Sequence, residues 1–481
     1  MTQATMASFR IVATIARELG PCLLAASVSA NAAVPPPPHP NQQVTAIVDV
    51  NVVPMDTERV LQDQTVIIEG GKIAAIGSGL PIPPNARVIR AKGEYLSPGL
   101  ADMHTHSTTR EDLAVYLANG VTTVLNMGGA TSGFMDTIRP GANSGVIPGP
   151  HVYAGFMLDG SPRYNNFFVT TPEQARAIVG IGKTNGYDFI KVYNDLSEPA
   201  FNALASEGKI EHVPIIGHGV SAVGLRRQLD AGQVMVAHTE EFLYTVFYDP
   251  AHLPSTGAPD ASKIPGVIDF VLRHKAFVTA DLNTYATIAH QWGKPTAVNN
   301  YLRMPEVKYL RPDDRIRWAR ADYADRQGSI DARLSFLRQF TKAMNDKGVN
   351  LIAGTDAPSI AGLVPGYSLH DDLAALRSAG LTPFDVLSTA TRIPGKFIQA
   401  TLPAEEPFGT VTVGSRADLV LTAKNPLKAL STLRTPIAVM AHGQWYSASR
   451  LHALLDLVAA EYRRALNPAI SAKRSASISN D

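Results

Sequence analysis

The spacing of apolar residues changes along the chain, and the first region has the pattern of β-strands. Residues 44–53 alternate and are rich in β-branched side chains, and residues 88–90 form a shorter apolar run. Two further runs, residues 65–69 and 72–76, flank Gly70 and Gly71, which is typical of a hairpin turn. The pattern therefore predicts that residues 44–96 fold as β-structure.

After Pro98 and Gly99 the pattern changes to short apolar runs that alternate with stretches of helical periodicity, such as residues 171–184 and 222–231. Alternating strands and helices predict a parallel sheet, and eight such strands suggest a closed barrel. The predicted strands are residues 100–104, 121–125, 151–154, 188–193, 213–218, 234–238, 276–280 and 350–356.

The chain then returns to β character, with strands predicted at residues 409–413, 417–421, 437–440 and 445–446. The expected fold class is α/β: a (β/α)8 TIM barrel over residues 98–395, with a small β-sandwich formed from both flanks, residues 44–97 and 396–450. Residues 284–347 form a long connection over one barrel face and are a candidate lid. A C-terminal helix and a disordered tail are expected over residues 451–481.

The first residues have the features of a secretory signal. Arg10 and Arg17 precede a short apolar run at residues 22–28, and Ala30-Asn-Ala32 offers a cleavage site. We predict a signal peptide over residues 1–33, a Pro-rich linker over 34–43, and a periplasmic or secreted mature protein. The alternative is a disordered extension of a cytoplasmic protein. The run is far shorter than the ~20 apolar residues of a membrane span, so no span is expected.

Composition narrows the range of partners and ligands. The chain has 481 residues, a formal net charge of +1 and 18% charged residues, so neither nucleic acid nor a membrane surface is an expected partner. Barrels of this kind often pair, and a homo-oligomer remains an open expectation. Cys22 is the single cysteine, which excludes an intrachain disulfide and a thiolate metal cluster. Any metal must therefore be held by histidine, carboxylate or a rarer ligand.

Metal-competent side chains stand near the ends of the predicted strands. His104 and His106 end the first strand, and residues i and i+2 of a strand face the same way. Alone, this pair fits two satisfied core histidines equally well. Lys191 lies inside an apolar run, and a buried ammonium group must be paired, neutral or modified. A salt-bridged lysine at the surface is one reading, and a carbamate that bridges two cations is the other.

Three more candidates end later strands: His218 the fifth, His238 the sixth and Asp356 the eighth. Catalytic residues of such barrels lie at the carboxyl ends of the strands, so six candidates there predict a shared site. The ligand types suit Zn²⁺, with Mn²⁺ or Co²⁺ as alternatives, and two ions about 3.5–4 Å apart can share a hydroxide.

These blocks resemble the signature of the amidohydrolase superfamily, and within it the imidazolonepropionase-related, prolidase-like group of Xaa-Pro dipeptidases and ochratoxinases. The resemblance rests on residues 97–106 (SPGLADMHTH), 189–193 (FIKVY), 216–218 (IGH), 237–238 (AH) and 354–356 (GTD), with 66–77 (VIIEGGKIAAIG) and 413–420 (VGSRADLV) on the flanks. The blocks occur in the family's order and span about residues 44–446.

The resemblance implies two divalent ions, with a carboxylated Lys191 as the bridge. One ion would be held by His104, His106 and Asp356, and the other by His218 and His238. Its members imply hydrolysis of a dipeptide, an N-acyl amino acid or a related amide such as ochratoxin A. A metal-bridging hydroxide would attack, with Asp356 as general base and acid, so that Asp356 and Lys191 are the expected catalytic residues.

Substrate contacts are less specific in the sequence, because the loops after the strands differ from those of the prolidase-like group. Tyr193 or Tyr244 could donate a hydroxyl to the reacting carbonyl, with plain packing as the alternative. Arg163 and His290 could contact a substrate carboxylate, or lie in solvated loops. Glu240 and Glu241 are either partners that orient the ligand histidines or an exposed acidic pair.

Two further functions stay open. A cyclic amide or imidazolone hydrolase, or a phosphotriesterase or lactonase, would use related chemistry. A single bound ion would favour the imidazolone or deaminase-like routes. A barrel without activity, used for binding, would be expected to have lost ligands, and all six candidate positions are present here.

Overall fold

A computed structural model describes residues 43–163, 167–248 and 257–466. The predicted signal peptide, most of the predicted linker and the tail beyond residue 466 lie outside the described residues.

The strands are β1 Thr45–Val52, β2 Leu61–Glu69, β3 Lys72–Gly77, β4 Arg87–Arg90, β5 Tyr95–Pro98, β6 Leu100–Thr105, β7 Val121–Asn126, β8 His151–Asp159, β9 Phe167–Phe168, β10 Phe189–Val192, β11 Ile215–Gly217, β12 Met235–Val236, β13 Phe277–Thr279, β14 Asn350–Ile352, β15 Leu419–Thr422, β16 Ala438–Ala441 and β17 Gln444–Ser447. The α-helices are α1 Arg110–Ala118, α2 Arg139–Asn143, α3 Pro172–Thr184, α4 Glu198–Glu211, α5 Leu225–Asp230, α6 Ile264–Arg273, α7 Leu282–Gln291, α8 Pro295–Tyr301, α9 Pro312–Ala319, α10 Asp331–Asp346, α11 Tyr367–Ser378, α12 Pro383–Thr389, α13 Arg392–Thr401 and α14 Ala448–Ala465.

The flanks of the barrel form one sheet in the order β17-β16-β15-β5-β1-β2-β3, as the sequence predicts. The first half of β1 also pairs in parallel with β4, while its last two residues pair with β5. Gly70 and Gly71 connect β2 to β3 with φ values of 57° and 78°, which suit a two-residue hairpin turn. The alternating apolar residues of β1 and β2 therefore bury one face against β15 and β16.

Two details of this sheet differ from the prediction. Residues 409–413 form no strand, because Gly409 has φ +85° and a Cβ there would stand 2.3 Å from the Thr391 carbonyl oxygen. Val411 makes a single backbone bond to Pro54 instead. The unpredicted strand β5 directly precedes the barrel and pairs with β15, so it joins the two flanks.

The predicted barrel is present as a parallel sheet in the order β14-β13-β12-β11-β10-β8-β7-β6. Each of its eight strands falls within or overlaps a predicted run. The edge strands approach each other beside the active face, where the amide of Asp356 donates to the carbonyl of His104 at 2.8 Å. The carboxyl ends of all eight strands consequently surround one mouth.

The opposite end of the barrel is filled by aromatic packing. Phe397 of α13 is fully buried, stacks on Phe189 at 5.4 Å between ring centroids, and contacts Phe277 at 5.1 Å. This end is closed by side chains, so the polar chemistry is confined to the other end. Residue 396, where we predicted that the small domain resumes, lies within α13.

The long connection between the seventh and eighth strands is helical, as the pattern predicts, and contains α7, α8, α9 and α10. Because α10 leads directly into β14, its first turn lies at the carboxyl end of the barrel. Its role as a lid stays a prediction. No helix within the described residues is both long enough and apolar enough to cross a bilayer.

Candidate metal centre

The centre begins with the two histidines that end β6. His104 is fully buried, while the side chain of His106 is 17% exposed toward the mouth. The Nε2 atom of His106 lies 3.0 Å from Oδ1 of Asp356, and that of His104 lies 3.7 Å from the same oxygen. These three side chains place one donor atom each within 4.8 Å of one another, a spacing that a divalent ion can join.

Lys191 points into the barrel. Its side chain is fully buried, and Nζ lies 3.5 Å from Nε2 of His104. Burial lowers the pKa of Lys191 to about 8, against the opposing carboxylates of Asp356, Asp281 and Glu241. A substantial fraction of the amine is therefore uncharged near neutral pH, which is the form that reacts with CO₂.

His218 and His238 complete the set. Their rings are 5.1 Å apart and nearly perpendicular, and the His238 ring lies 4.3 Å from that of His104. The two side chains follow neighbouring strands, β11 and β12, so the parallel order of the barrel brings them together. All six predicted ligands therefore meet at one mouth.

Each of the four histidines faces an oxygen with its Nδ1 atom. For His106 the oxygen is the Gly128 carbonyl at 3.1 Å, and for His218 it is Glu241 at 2.8 Å. A hydrogen on Nδ1 leaves the lone pair of Nε2 free for a cation. The donor set and its outer partners thus fit divalent metal.

Asp281 supplies the oxygen for the other two histidines, and we did not predict it. Its Oδ2 lies 3.0 Å from Nδ1 of His104 and 2.6 Å from Nδ1 of His238, and the Thr279 hydroxyl donates to it at 2.8 Å. The sequence did contain a signal for Asp281, because it directly follows the seventh predicted strand. The other candidate side chains also stand at or directly after the end of a predicted strand.

The acidic pair after His238 is buried rather than exposed. Burial raises the pKa of Glu241 to about 7 and that of Glu240 to about 8. Glu241 accepts from the Gly219 amide and the Asn194 side chain while it faces His218, which fixes its orientation. Of the two glutamates, Glu241 therefore contacts a ligand histidine directly.

Opposing charges act strongly on the remaining ligands. Burial alone would raise the pKa of Asp356, but His106, His104 and His238 outweigh it and hold that pKa far below the usual range. Burial lowers the pKa of His238, yet facing carboxylates, Asp281 foremost, raise it to about 9. An entering cation therefore has to displace a proton from His238.

Three residues that follow the last barrel strands have left-handed backbone conformations: His238 at φ 70°, Asp281 at φ 42° and Asp356 at φ 57°. Such conformations cost about 1–3 kcal/mol each and persist where the surroundings require them. Here they direct three polar side chains to one point.

The predicted substrate contacts are distributed unevenly. The ring of Tyr193 stacks on His218 at 4.0 Å, and half-buried Tyr244 lies in the turn after Glu241. Arg163 is exposed, and His290 is exposed at the far end of α7, where its Nδ1 atom lies 2.8 Å from the Tyr301 hydroxyl. Tyr193 therefore contacts a candidate ligand, Tyr244 lies near Glu240 and Glu241, and His290 is engaged elsewhere.

A parallel eight-stranded barrel with inward histidines, an aspartate and a buried lysine at its carboxyl end defines a class of metal-dependent hydrolases. The sequence profile of the amidohydrolase family matches residues 95–446. The chain belongs to the amidohydrolase family.

Curated relatives match short stretches of this chain. A dihydroorotase from Mycobacterium leprae is 41% identical over 85 residues, which are 17% of this chain and 19% of that protein. An imidazolonepropionase from Idiomarina loihiensis is 42% identical over 65 residues, 12% of this chain and 16% of that protein. The matches span less than a fifth of these relatives.

Solved structures share the whole architecture at low identity. Bottromycin amidohydrolase superposes with a TM-score of 0.68 and 22% identity, over 87% of this chain and 90% of that one. A Xaa-Pro dipeptidase with bound methionine has a TM-score of 0.62 and 18% identity, over 84% of this chain and 100% of that one. The ochratoxinase of A. niger has a TM-score of 0.58 and 17% identity, over 84% of this chain and 96% of that one. These similarities establish a common fold.

Proposed function

We propose that this protein hydrolyses the C–N bond of a linear amide, either a dipeptide, an N-acyl amino acid or a related amide such as ochratoxin A, with two divalent ions. The observation that carries the proposal is that the Nδ1 atoms of all four histidines lie near surrounding oxygens, while the Nε2 atoms of His104 and His106 lie 3.7 and 3.0 Å from Oδ1 of Asp356. Donor atoms of these types, brought together in this way, are suited to bind divalent cations.

In this proposal His104, His106 and Asp356 hold one ion, and His218 and His238 hold the other. Lys191, if carboxylated, would supply a carbamate as the shared anionic ligand. When bound, two Zn²⁺ ions would lower the pKa of water and polarise the amide carbonyl. Lys191 is suited to carbamate formation because it is buried and its pKa is depressed.

Asp356 is the group that moves the proton. Its carboxylate is ionised near neutral pH and reaches the mouth, with 15% of the side chain exposed. It would accept a proton from the attacking water and deliver it to the leaving nitrogen. Its left-handed backbone and the Ser359 amide that donates to its carbonyl, at 2.8 Å, hold it in place.

Tyr193 and Tyr244 are the candidate donors to the carbonyl oxygen. Burial raises the pKa of Tyr244 well above its usual value, so its hydroxyl stays protonated. A neutral phenol that donates a hydrogen bond stabilises the charge that develops on that oxygen.

The second candidate function is hydrolysis of a cyclic amide, which the short matches to a dihydroorotase and an imidazolonepropionase favour. The overall likeness to a Xaa-Pro dipeptidase supports the linear amide instead. A phosphotriesterase or lactonase has no observation of its own to favour it.

The test joins metal analysis to a substrate screen. We expect two equivalents of divalent metal per chain and release of amine from dipeptides or N-acyl amino acids. Lys191→Ala should lose metal and turnover, and Asp356→Asn should lose at least about 10²-fold in kcat, the lower end of general acid–base contributions. Lys342→Ala and Asp346→Asn, at an exposed ion pair on α10, are matched controls. Full activity of either site variant would refute its role.

A further inference from the structure

A buried arginine on α10 lies close to the candidate metal centre. Arg333 lies in the first turn of α10, at the carboxyl end of the barrel, and is 5% exposed. Its Nε and Nη2 atoms have no hydrogen-bond partner, and within the described residues no carboxylate pairs with it. Because burial of an unpaired charge is strongly unfavourable, such a group is a candidate to bind an anionic ligand.

The surroundings of Arg333 are aromatic and neutral. Its guanidinium lies 5.2 Å from the ring centroid of Tyr248. The buried Tyr285 hydroxyl, which also lacks a partner, faces it from α7, and Tyr244 lies nearby. Two helices, α10 and α7, thus bring hydrogen-bond donors together, and no acceptor within the described residues bonds Nε or Nη2 of Arg333 or the Tyr285 hydroxyl.

The cluster of Arg333, Tyr248 and Tyr285 adjoins the candidate metal centre. Tyr285 follows Asp281 by one helical turn, and Asp281 contacts two of the ligand histidines. Thr284, next to Tyr285, donates to the carbonyl of Thr355, the neighbour of Asp356, at 2.8 Å. Tyr285 also faces Glu240, two residues beyond His238.

We propose that Arg333 and Tyr285 bind the carboxylate of the substrate's amino-acid portion and so select acyl amino acids or dipeptides over uncharged amides. The inference rests on the proposed function, because it assumes that an amide bond lies at the metal centre. A guanidinium offers two parallel N–H groups to the two oxygens of a carboxylate, and the phenol adds a third donor. One cation balances one carboxylate, whereas a phosphate dianion would leave charge uncompensated.

This assignment differs from the sequence expectation, which placed Arg163 and His290 at the carboxylate. His290 is exposed and engaged with Tyr301, and Arg163 is exposed. Arg333 does not follow a barrel strand, and it lies on a helix whose pattern shows only a charged, amphipathic surface.

The experiment compares N-acetyl amino acids with the matching N-acetyl amino alcohols, which carry CH₂OH in place of the carboxylate. The metal-loaded enzyme is assayed for kcat/KM by amine release, and for Kd by calorimetry. We expect the wild type to prefer the acids on the order of 100-fold, as truncation of a buried charge pair typically costs. In Arg333→Gln the acid-to-alcohol ratio should fall toward one, and in Tyr285→Phe it should fall about tenfold.

Arg338→Gln, on an exposed position of the same helix, is the matched control and should keep the wild-type ratio. If Arg333 had only a structural role, Arg333→Gln would lower kcat/KM for acids and alcohols equally and leave their ratio unchanged. That result overturns the inference. Equal rates for acids and alcohols in a wild type with two bound ions also overturn it, while the proposed function stands. If no amide is cleaved, the proposed function fails, and an acid-to-alcohol Kd ratio near one would refute the carboxylate site independently.

Discussion

In the proposed centre Asp281 contacts a histidine of each metal position, and its replacement by asparagine is the most informative change at the site. One oxygen of Asp281 lies 3.0 Å from Nδ1 of His104 and 2.6 Å from Nδ1 of His238. We assign these histidines to different ions. Asparagine keeps the shape of the side chain but removes the negative charge that holds both imidazoles in the same tautomer.

The size of the effect follows from the two contacts. The contact of Asp281 with His104 is a hydrogen bond to a charged acceptor, which contributes about 1.5–3 kcal/mol, and that with His238 is a close ion pair. Loss of an outer partner of a metal-binding histidine typically weakens metal binding ~10–100-fold. Asp281→Asn should therefore weaken the binding of both ions by roughly that factor. Glu241→Gln removes the partner of His218 alone, and should weaken only the ion that His218 holds.

Competition with a chromophoric chelator, combined with metal analysis of the dialysed protein, measures both affinities. Asp346→Asn, an exposed carboxylate on α10, is the control and should bind both ions as the wild type does. If Asp281→Asn retained both affinities, or lost only the ion that Glu241→Gln loses, the coupling of the two positions through Asp281 would be wrong.

The other predictions concern stability. Phe397→Ala removes the ring that stacks on Phe189 at the closed end of the barrel and should lower the free energy of unfolding by about 3–5 kcal/mol in urea denaturation, whereas Phe167→Ala, at a residue 56% exposed, should change it little. Burial and a nearby arginine lower the pKa of His370 to about 4. In the unfolded chain His370 has a pKa near 6.5, so as the pH falls the unfolded state takes up this proton before the folded state does. The free energy of unfolding therefore has its full value above about pH 6.5 and decreases by about 3 kcal/mol toward pH 4. His370→Gln should lack this part of the slope, and an unchanged pH dependence in denaturation curves would contradict the assignment.

The barrel and most of its ligands could be predicted because each strand is a short apolar run and the chemistry follows its last residue. His218, His238 and Asp356 obey this rule without knowledge of the fold. The direction of the Lys191 side chain could not be predicted, since an apolar strand of a barrel is buried on both faces. Only the closed sheet places its Nζ beside His104.

The partners of the ligands were harder to foresee. Asp281 is a single acid after a strand, and its contacts with two histidines depend on a left-handed backbone at φ 42°. Arg333 is one of many charged residues in a helical connection, and only packing separates it from its exposed neighbours. The error at residues 409–413 has a similar origin, because the close approach of Gly409 to the Thr391 carbonyl is a property of the folded chain.

The most direct test of the dinuclear centre is anomalous diffraction at the zinc edge from crystals grown with Zn²⁺ and bicarbonate. The account predicts two peaks, one beside His106 and Asp356 and one beside His218 and His238, with electron density for a carbamate that continues from Nζ of Lys191 to both. A single peak, or a Lys191 side chain that ends at a free amine with both ions in place, would contradict it.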